Sequence, residues 1–133
     1  MIITTCIDYE WDVDNKFACI GFPARNRKSV SAMTKGDKIA FYVTVESKFM
    51  ATAEVTDGYF YSESRIWDDE FELYPHRIHS KPCFYIENIE DGIYIKVIWD
   101  DLEFITNHHK LGSFVQGSLR KLSQHDFEVI EKI

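Results

Sequence analysis

The run Lys38–Thr56, KIAFYVTVESKFMATAEVT, decides how the chain folds. Its first half, KIAFYVTV, has the β-branched and aromatic content of a well-buried strand. Its second half, KFMATAEVT, alternates, setting Phe49, Ala51, Ala53 and Val55 on one face. Only Glu46 and Ser47 separate the halves, a hairpin connection. Lys35-Gly36-Asp37 in front is a tight-turn signal. The fold therefore starts from an antiparallel pair with one face turned to a core.

Toward the N-terminus, Ile2–Ile7 reads as a strand. Asp8 is placed to cap a short helix over Tyr9–Lys16 that carries Trp11. Phe17–Phe22 is an apolar strand stopped by Gly21-Phe22-Pro23, and the basic loop Ala24–Lys28, ARNRK, comes next. Ser29–Met33 forms a helical turn. Toward the C-terminus, Asp57–Ser64 reads as an aromatic-rich loop. Arg77–Asn88 is one or two strands broken near Pro82, because proline is rare inside a central strand. Asp91-Gly92 marks a turn, Ile93–Ile98 a strand, Asp100–Ile105 a short helix and Asn107–Gly112 a polar loop. Ser118–Leu122 is a last strand or turn. Ser123 and Asp126 make a capping box for a helix over Ser123–Lys132, with Phe127, Ile130 and Ile133 on one face. Five to six strands with connections too short for repeated βαβ units predict an α+β fold: a curled mixed sheet or small open barrel with short peripheral helices. No repeat or boundary divides it, so residues 1–133 read as one domain.

With 45% hydrophobic and 28% charged residues the chain is globular, not disordered. A net charge of -7 argues against gripping long stretches of phosphate backbone, though not against a pocket for one base. Cys6, Cys19 and Cys83 lie far apart with no CxxC pair, and MIITTCIDYEW lacks a basic region and a long apolar run. These features predict reduced thiols and a cytoplasmic location. No window approaches the ~20 apolar residues of a membrane span.

The stretch richest in recognition chemistry is Trp67–Lys81, WDDEFELYPHRIHSK. Flat rings with polar tips and the rigid fork of Arg77 suit a planar, hydrogen-bonding ligand such as a nucleobase; the same residues suit an aromatic cluster pinning a loop to the core. Trp67 reads as an exposed ring beside an acidic turn. His76 and His79, at i and i+3, point to opposite faces of a strand, and with His108-His109 they form no metal set. Asp68-Asp69 and Asp100-Asp101 read as solvated turns or caps, and Cys6 and Cys83 as structural thiols. No P-loop, G-x-G-x-x-G or G-x-S-x-G is present. No catalytic residue, metal or cofactor is expected.

Four segments, in order, resemble the EVE domain, a PUA-like family related to YTH domains. They are Gly21-Phe22-Pro23 with its basic loop, Lys35–Lys38 leading into Phe41-Tyr42-Val43, Tyr74-Pro75-His76-Arg77-Ile78, and Phe114-Val115-Gln116-Gly117-Ser118-Leu119-Arg120. The resemblance implies a non-catalytic domain that holds a modified nucleobase of DNA or RNA in an aromatic pocket, with a monomer as the expected state. It implies walls from Trp67, Gly21, Phe22 and Pro23, with Trp11 near the mouth and Tyr74 as scaffold. Arg77 and the segment carrying Phe114, Gln116, Gly117 and Ser118 would close the other side, and Arg25 would contact phosphate. Two positions depart from the pattern: Ile20 replaces the tryptophan often found before the glycine, and His76 an aromatic. Rival readings are a general PUA-type RNA-binding module and a nucleotide-processing enzyme using Asp69 or Glu72.

Overall fold

The computed structural model of the chain describes residues 1–6, 8–44, 46–67, 73–103, 105 and 119–132. Its elements are β1 (Ile2–Thr5), α1 (Tyr9–Asp14), β2 (Cys19–Phe22), α2 (Arg27–Ser31), β3 (Lys38–Val43), β4 (Lys48–Tyr61), β5 (His76–Tyr85), β6 (Ile93–Tyr94), α3 (Ile95–Ile98), β7 (Leu119–Lys121) and α4 (Gln124–Glu131). Short 3-10 turns cover Ala24–Asn26, Ile89–Asp91 and Trp99–Asp101. Among the described residues the strands form one sheet in the order β2-β5-β4-β3-β1-β7, with β6 paired to β4. Only β1 and β3 run parallel; the other pairs are antiparallel. The result is the expected curled, mixed half-barrel with small helices around it.

The hairpin of β3 and β4 lies at its centre, in register from Lys38 opposite Glu54 to Val43 opposite Lys48. Alternation along β1 and β3 sends Ile2, Ile39 and Phe41 to one core and Ile3, Ala40 and Tyr42 to a second. The first core packs beneath Phe17, Ile20, Phe22, Val30 and Ile78; the second is covered by α3 and α4 through Ile95, Ile98, Phe127 and Ile130. A sheet buried on both faces needs apolar residues on both, which KIAFYVTV supplies.

Four expectations change. Phe49 does not share a face with Ala51, Ala53 and Val55. A bulge sets Phe41 opposite Ala51 but Tyr42 opposite Phe49, and the extra residue, Met50, flips Phe49 into the second core. Residues 57–61 are not loop but the continuation of β4, which bends through further register shifts between Val55 and Phe60. Ile93–Ile98 is not one strand: β6 stops at Tyr94, and Ile95 and Ile98, three apart, turn one helical face into the core. Pro82 leaves β5 unbroken because β2 pairs only with His76–His79, so the missing N–H falls beyond that register and beside a bulge. No helix among the described residues is long and apolar enough to cross a membrane.

Candidate functional site

Helix α1 sets up the site. Asp8 caps it, its carboxylate accepting the Trp11 N–H at 3.1 Å. The Tyr9 hydroxyl reaches across to the carbonyls of Ile86 at 2.7 Å and Met50 at 3.1 Å and pins the helix to the sheet. The chain then reverses through Lys16 and Phe17, both at φ 55. Left-handed geometry at two such bulky residues costs about 1–3 kcal/mol each and persists where its surroundings over-determine it. Here they do: the Phe17 N–H donates to the Asp12 carbonyl at 2.8 Å, the Ser80 hydroxyl donates to the Phe17 carbonyl, and the Phe17 ring is fully buried. The backbone around Asp12 is therefore held from both sides.

The aromatic wall follows. Trp67 is only 4% exposed, and its ring lies on the bare face of Gly21. A Cβ at Gly21 would stand 2.5 Å from Cη2 and Cζ3 of Trp67 and 2.8 Å from Cβ of Tyr74, so only glycine permits this approach. Trp11 meets Trp67 at 5.4 Å between centroids and Tyr74 meets it at 5.9 Å, both in edge contacts. The Arg77 guanidinium sits 5.1 Å from the Trp67 ring centre. Its fork is committed elsewhere: Nε donates to the Tyr74 carbonyl at 3.0 Å, Nη1 to Ser64 Oγ at 2.7 Å, and Nη2 to the carbonyls of Leu73, at 3.1 Å, and Ser64.

Behind Trp67 is a cavity of about 10 Å³ lined by Thr5, Cys6, Asp12, Ile20, Gly21, Phe41 and Trp67 itself. It is room for one water at most. Two polar groups on it lack partners among the described residues. The indole Nε1 of Trp67 is buried with no acceptor. The Asp12 carboxyl is 95% buried (5% exposed) and makes no hydrogen bond among the described residues. Burial and then the nearby Asp8 push the Asp12 carboxyl up to about 8. Burial, and secondarily Asp12, also raises the thiol of Cys6 well above its ordinary range, and burial raises that of Cys19. The wall is thus neutral near pH 7, and neither thiol is a poised nucleophile.

The structure brings Trp11, Gly21, Trp67, Tyr74 and Arg77 into one cluster. Three placements differ from expectation. Trp67 is buried rather than exposed, because Gly21 gives its ring a face to lie on. Phe22 is fully buried in the first core rather than set on the wall beside Trp67, and Pro23 is buried next to it in the chain. Arg77, 1% exposed, clamps the carbonyls that lead into β5 rather than presenting a free fork. Arg25 is exposed on the 3-10 turn after Pro23. Phe114, Gln116, Gly117 and Ser118 lie outside the described residues, as do Asp69, Glu72 and His108-His109. His76 stacks on Tyr59, whose hydroxyl meets its Nδ1 at 2.7 Å, while His79 faces outward against Phe60.

Sequence reasoning missed Asp12. In DYEWDVD it looks like one more solvated acid, and its one signal is the i, i+3 spacing from Tyr9, which sets both on the inward face. A larger concavity, about 530 Å³, opens on the other side of α1 between Tyr9, Val13, Glu10, Asp14, Glu87 and Ile89. Its acidic rim repels phosphate, and none of the expected site residues borders it.

The chain is 29% identical over 136 residues to a UPF0310 protein of Pyrococcus horikoshii, covering 92% of this chain and 90% of that protein. No protein-family profile matches it. Among solved structures, the Mmi1 YTH domain superposes with a TM-score of 0.67 at 13% identity, over 99% of this chain and 73% of that one. The YTH domain of the Zygosaccharomyces rouxii MRB1 protein, solved in complex with N6-methyladenosine RNA, superposes at 0.65 with 12% identity, over 98% and 83%. At such identities the likeness is one of fold, and the fold of this chain is that of the YTH domains.

Proposed function

We propose that this chain is a non-catalytic nucleic-acid-binding domain of the EVE type that holds a modified nucleobase between α1, β2 and the entry to β5. The observation that carries this reading is the pairing of an aromatic cluster with two buried polar groups, Asp12 and the Trp67 N–H, that have no partner among the described residues. A folded chain leaves such groups unpaired at about 1–3 kcal/mol each, and a ligand edge supplies what is missing. The YTH-like fold and the N6-methyladenosine RNA bound by one neighbour support the same class of ligand.

Trp11, Gly21, Trp67 and Tyr74 form the walls in this reading, and Asp12 faces the base edge. The segment with Phe114, Gln116, Gly117 and Ser118 closes the opposite side, and Arg25 meets phosphate. A cavity of 10 Å³ is too small for a base, so entry requires the Trp67 ring to leave Gly21. That motion breaks no hydrogen bond of the indole among the described residues, since its N–H has none to lose. Flipping a base from a duplex costs a few kcal/mol, so single strands bind more readily. Stacking returns about 1–3 kcal/mol per base, and a methyl group adds apolar contact.

The reading is tested with a labelled single strand carrying one N6-methyladenine or one 5-methylcytosine, in DNA and in RNA form, against its unmodified twin by fluorescence anisotropy. Tighter binding of a modified strand supports it. Equal binding of both twins favours a general RNA-binding module, and chemical conversion of the base in mass spectra an enzyme.

A further inference from the structure

We propose that base binding at this pocket is linked to a proton on Asp12: the pocket holds its base through a neutral Asp12 carboxyl and releases it when that carboxyl ionises. This rests on the base-pocket reading above and adds to it the chemistry of the edge that is read.

The chain contains a second buried acid as a control. Asp126 is 2% exposed, and its Oδ1 accepts the Glu103 N–H at 2.8 Å and lies 3.0 Å from Nδ1 of His125. That carboxyl has hydrogen-bond partners. Asp12 is equally buried and has none among the described residues. Among the described residues, the titratable groups that face it are Asp8 on its own helix, Cys6 after β1, Tyr9, and Cys19 on β2. None is a cation. Arg77 acts on Cys19 from β5, but four of its five N–H donors go to Ser64, Leu73 and Tyr74. An uncompensated buried carboxylate is costly, and taking up a proton is the cheaper state.

A neutral carboxyl offers one O–H donor beside one carbonyl acceptor. It pairs in plane with an edge that sets a ring-nitrogen acceptor beside an exocyclic N–H. The 6-aminopurines and 4-aminopyrimidines carry such an edge, and a single methyl on the amino group leaves its other N–H in place. Ionised, Asp12 offers two acceptors, so the ring nitrogen meets a lone pair and the edge is turned away. The edge of guanine, with two adjacent donors, fits the ionised form instead. The two thiols beside Asp12 are themselves raised, so they stay neutral as Asp12 titrates.

The test is calorimetric titration of the whole chain with N6-methyladenosine, 5-methylcytidine and guanosine at pH 6.5, and with the first two at pH 9.0, for wild type and Asp12→Asn. The asparagine amide keeps a donor beside an acceptor at every pH. For wild type we expect an amino nucleoside to bind more tightly than guanosine at pH 6.5 and to lose about tenfold in affinity by pH 9.0, given a midpoint near 8. For Asp12→Asn we expect binding with a flat pH profile. A flat wild-type profile, a preference for guanosine at pH 6.5, or a pH dependence that survives in Asp12→Asn overturns the proton linkage while leaving the base pocket standing. No nucleoside binding by either protein at either pH defeats the base pocket and the linkage with it.

Discussion

Gly21 has no side chain because the Trp67 ring occupies that space. Gly21→Ala places a methyl inside van der Waals contact with Trp67 and Tyr74. We expect overpacking of about 1–3 kcal/mol in urea denaturation and a red shift of Trp emission as the ring is pushed out. Trp11 is half-buried and edge-on, so Trp11→Ala tests stacking with little damage to the core. It should weaken nucleoside binding by about 1–3 kcal/mol while the urea midpoint stays near wild type. Trp67→Ala is a poorer probe, since truncating a buried tryptophan costs about 3–5 kcal/mol of stability. Asp12 has a stability signature of its own. Its folded-state value is raised, so between about pH 4 and pH 8 the folded chain keeps a proton that the unfolded chain gives up, and stability falls as pH rises through that window. From pH 5 to pH 8 the loss is of order 2–4 kcal/mol at 1.36 kcal/mol per unit. His125, exposed and raised by Asp126, works in the same direction, its stabilisation present at low pH and lost as pH rises. Comparison with Asp12→Asn isolates the buried acid: the variant should gain stability at pH 8 and little at pH 4. At this scale the sequence exposed the aromatic residues but not their burial, because Trp67 is buried by the absence of a Cβ 46 positions away. Asp12 was hidden among acids of the same type.

The elements were most legible where a local rule governs them. Ser123 caps α4 as its capping-box spacing indicates, accepting the Asp126 N–H at 3.1 Å. Ser123→Ala should cost about 1 kcal/mol in thermal or urea melts, with nucleoside binding unchanged. The β3–β4 hairpin was equally legible, from composition and a short connection. What stayed hidden were features set by neighbours distant in sequence. The bulge at Phe41/Tyr42 reverses the face of Phe49 without any glycine to mark it. The extension of β4 to Tyr61 depends on pairing with Arg77 and His76, opposite Phe60 and Tyr61. The helical turn at Ile95–Ile98 is chosen by the core it covers, since Ile95, Val97 and Ile98 are β-favouring and the run reads locally as strand.

At the level of the whole molecule, a net charge of -7 and the proposed nucleic-acid ligand are reconciled by segregation. Arg25, Arg27 and Lys28 are exposed on the segment that leaves β2 beside Gly21, whereas Glu10, Asp14 and Glu87 rim the concavity on the other side of α1. Arg25→Glu should therefore weaken oligonucleotide binding severalfold and lower its salt slope by about 1, with nucleoside affinity unaffected. Equal losses on both ligands would place Arg25 outside the phosphate path. The curled sheet itself was readable from strand count and connection lengths. The close packing of Trp67 on Gly21 was not, because it depends on how α1, β2 and the entry to β5 pack together. The base pocket is tested most directly by titrating the intact chain with modified nucleosides and following tryptophan emission at pH 6.5. A saturable change is expected for N6-methyladenosine or 5-methylcytidine, as Trp67 leaves Gly21 and takes up the base, with the change reduced in Trp11→Ala. Emission that stays constant across the panel would contradict it.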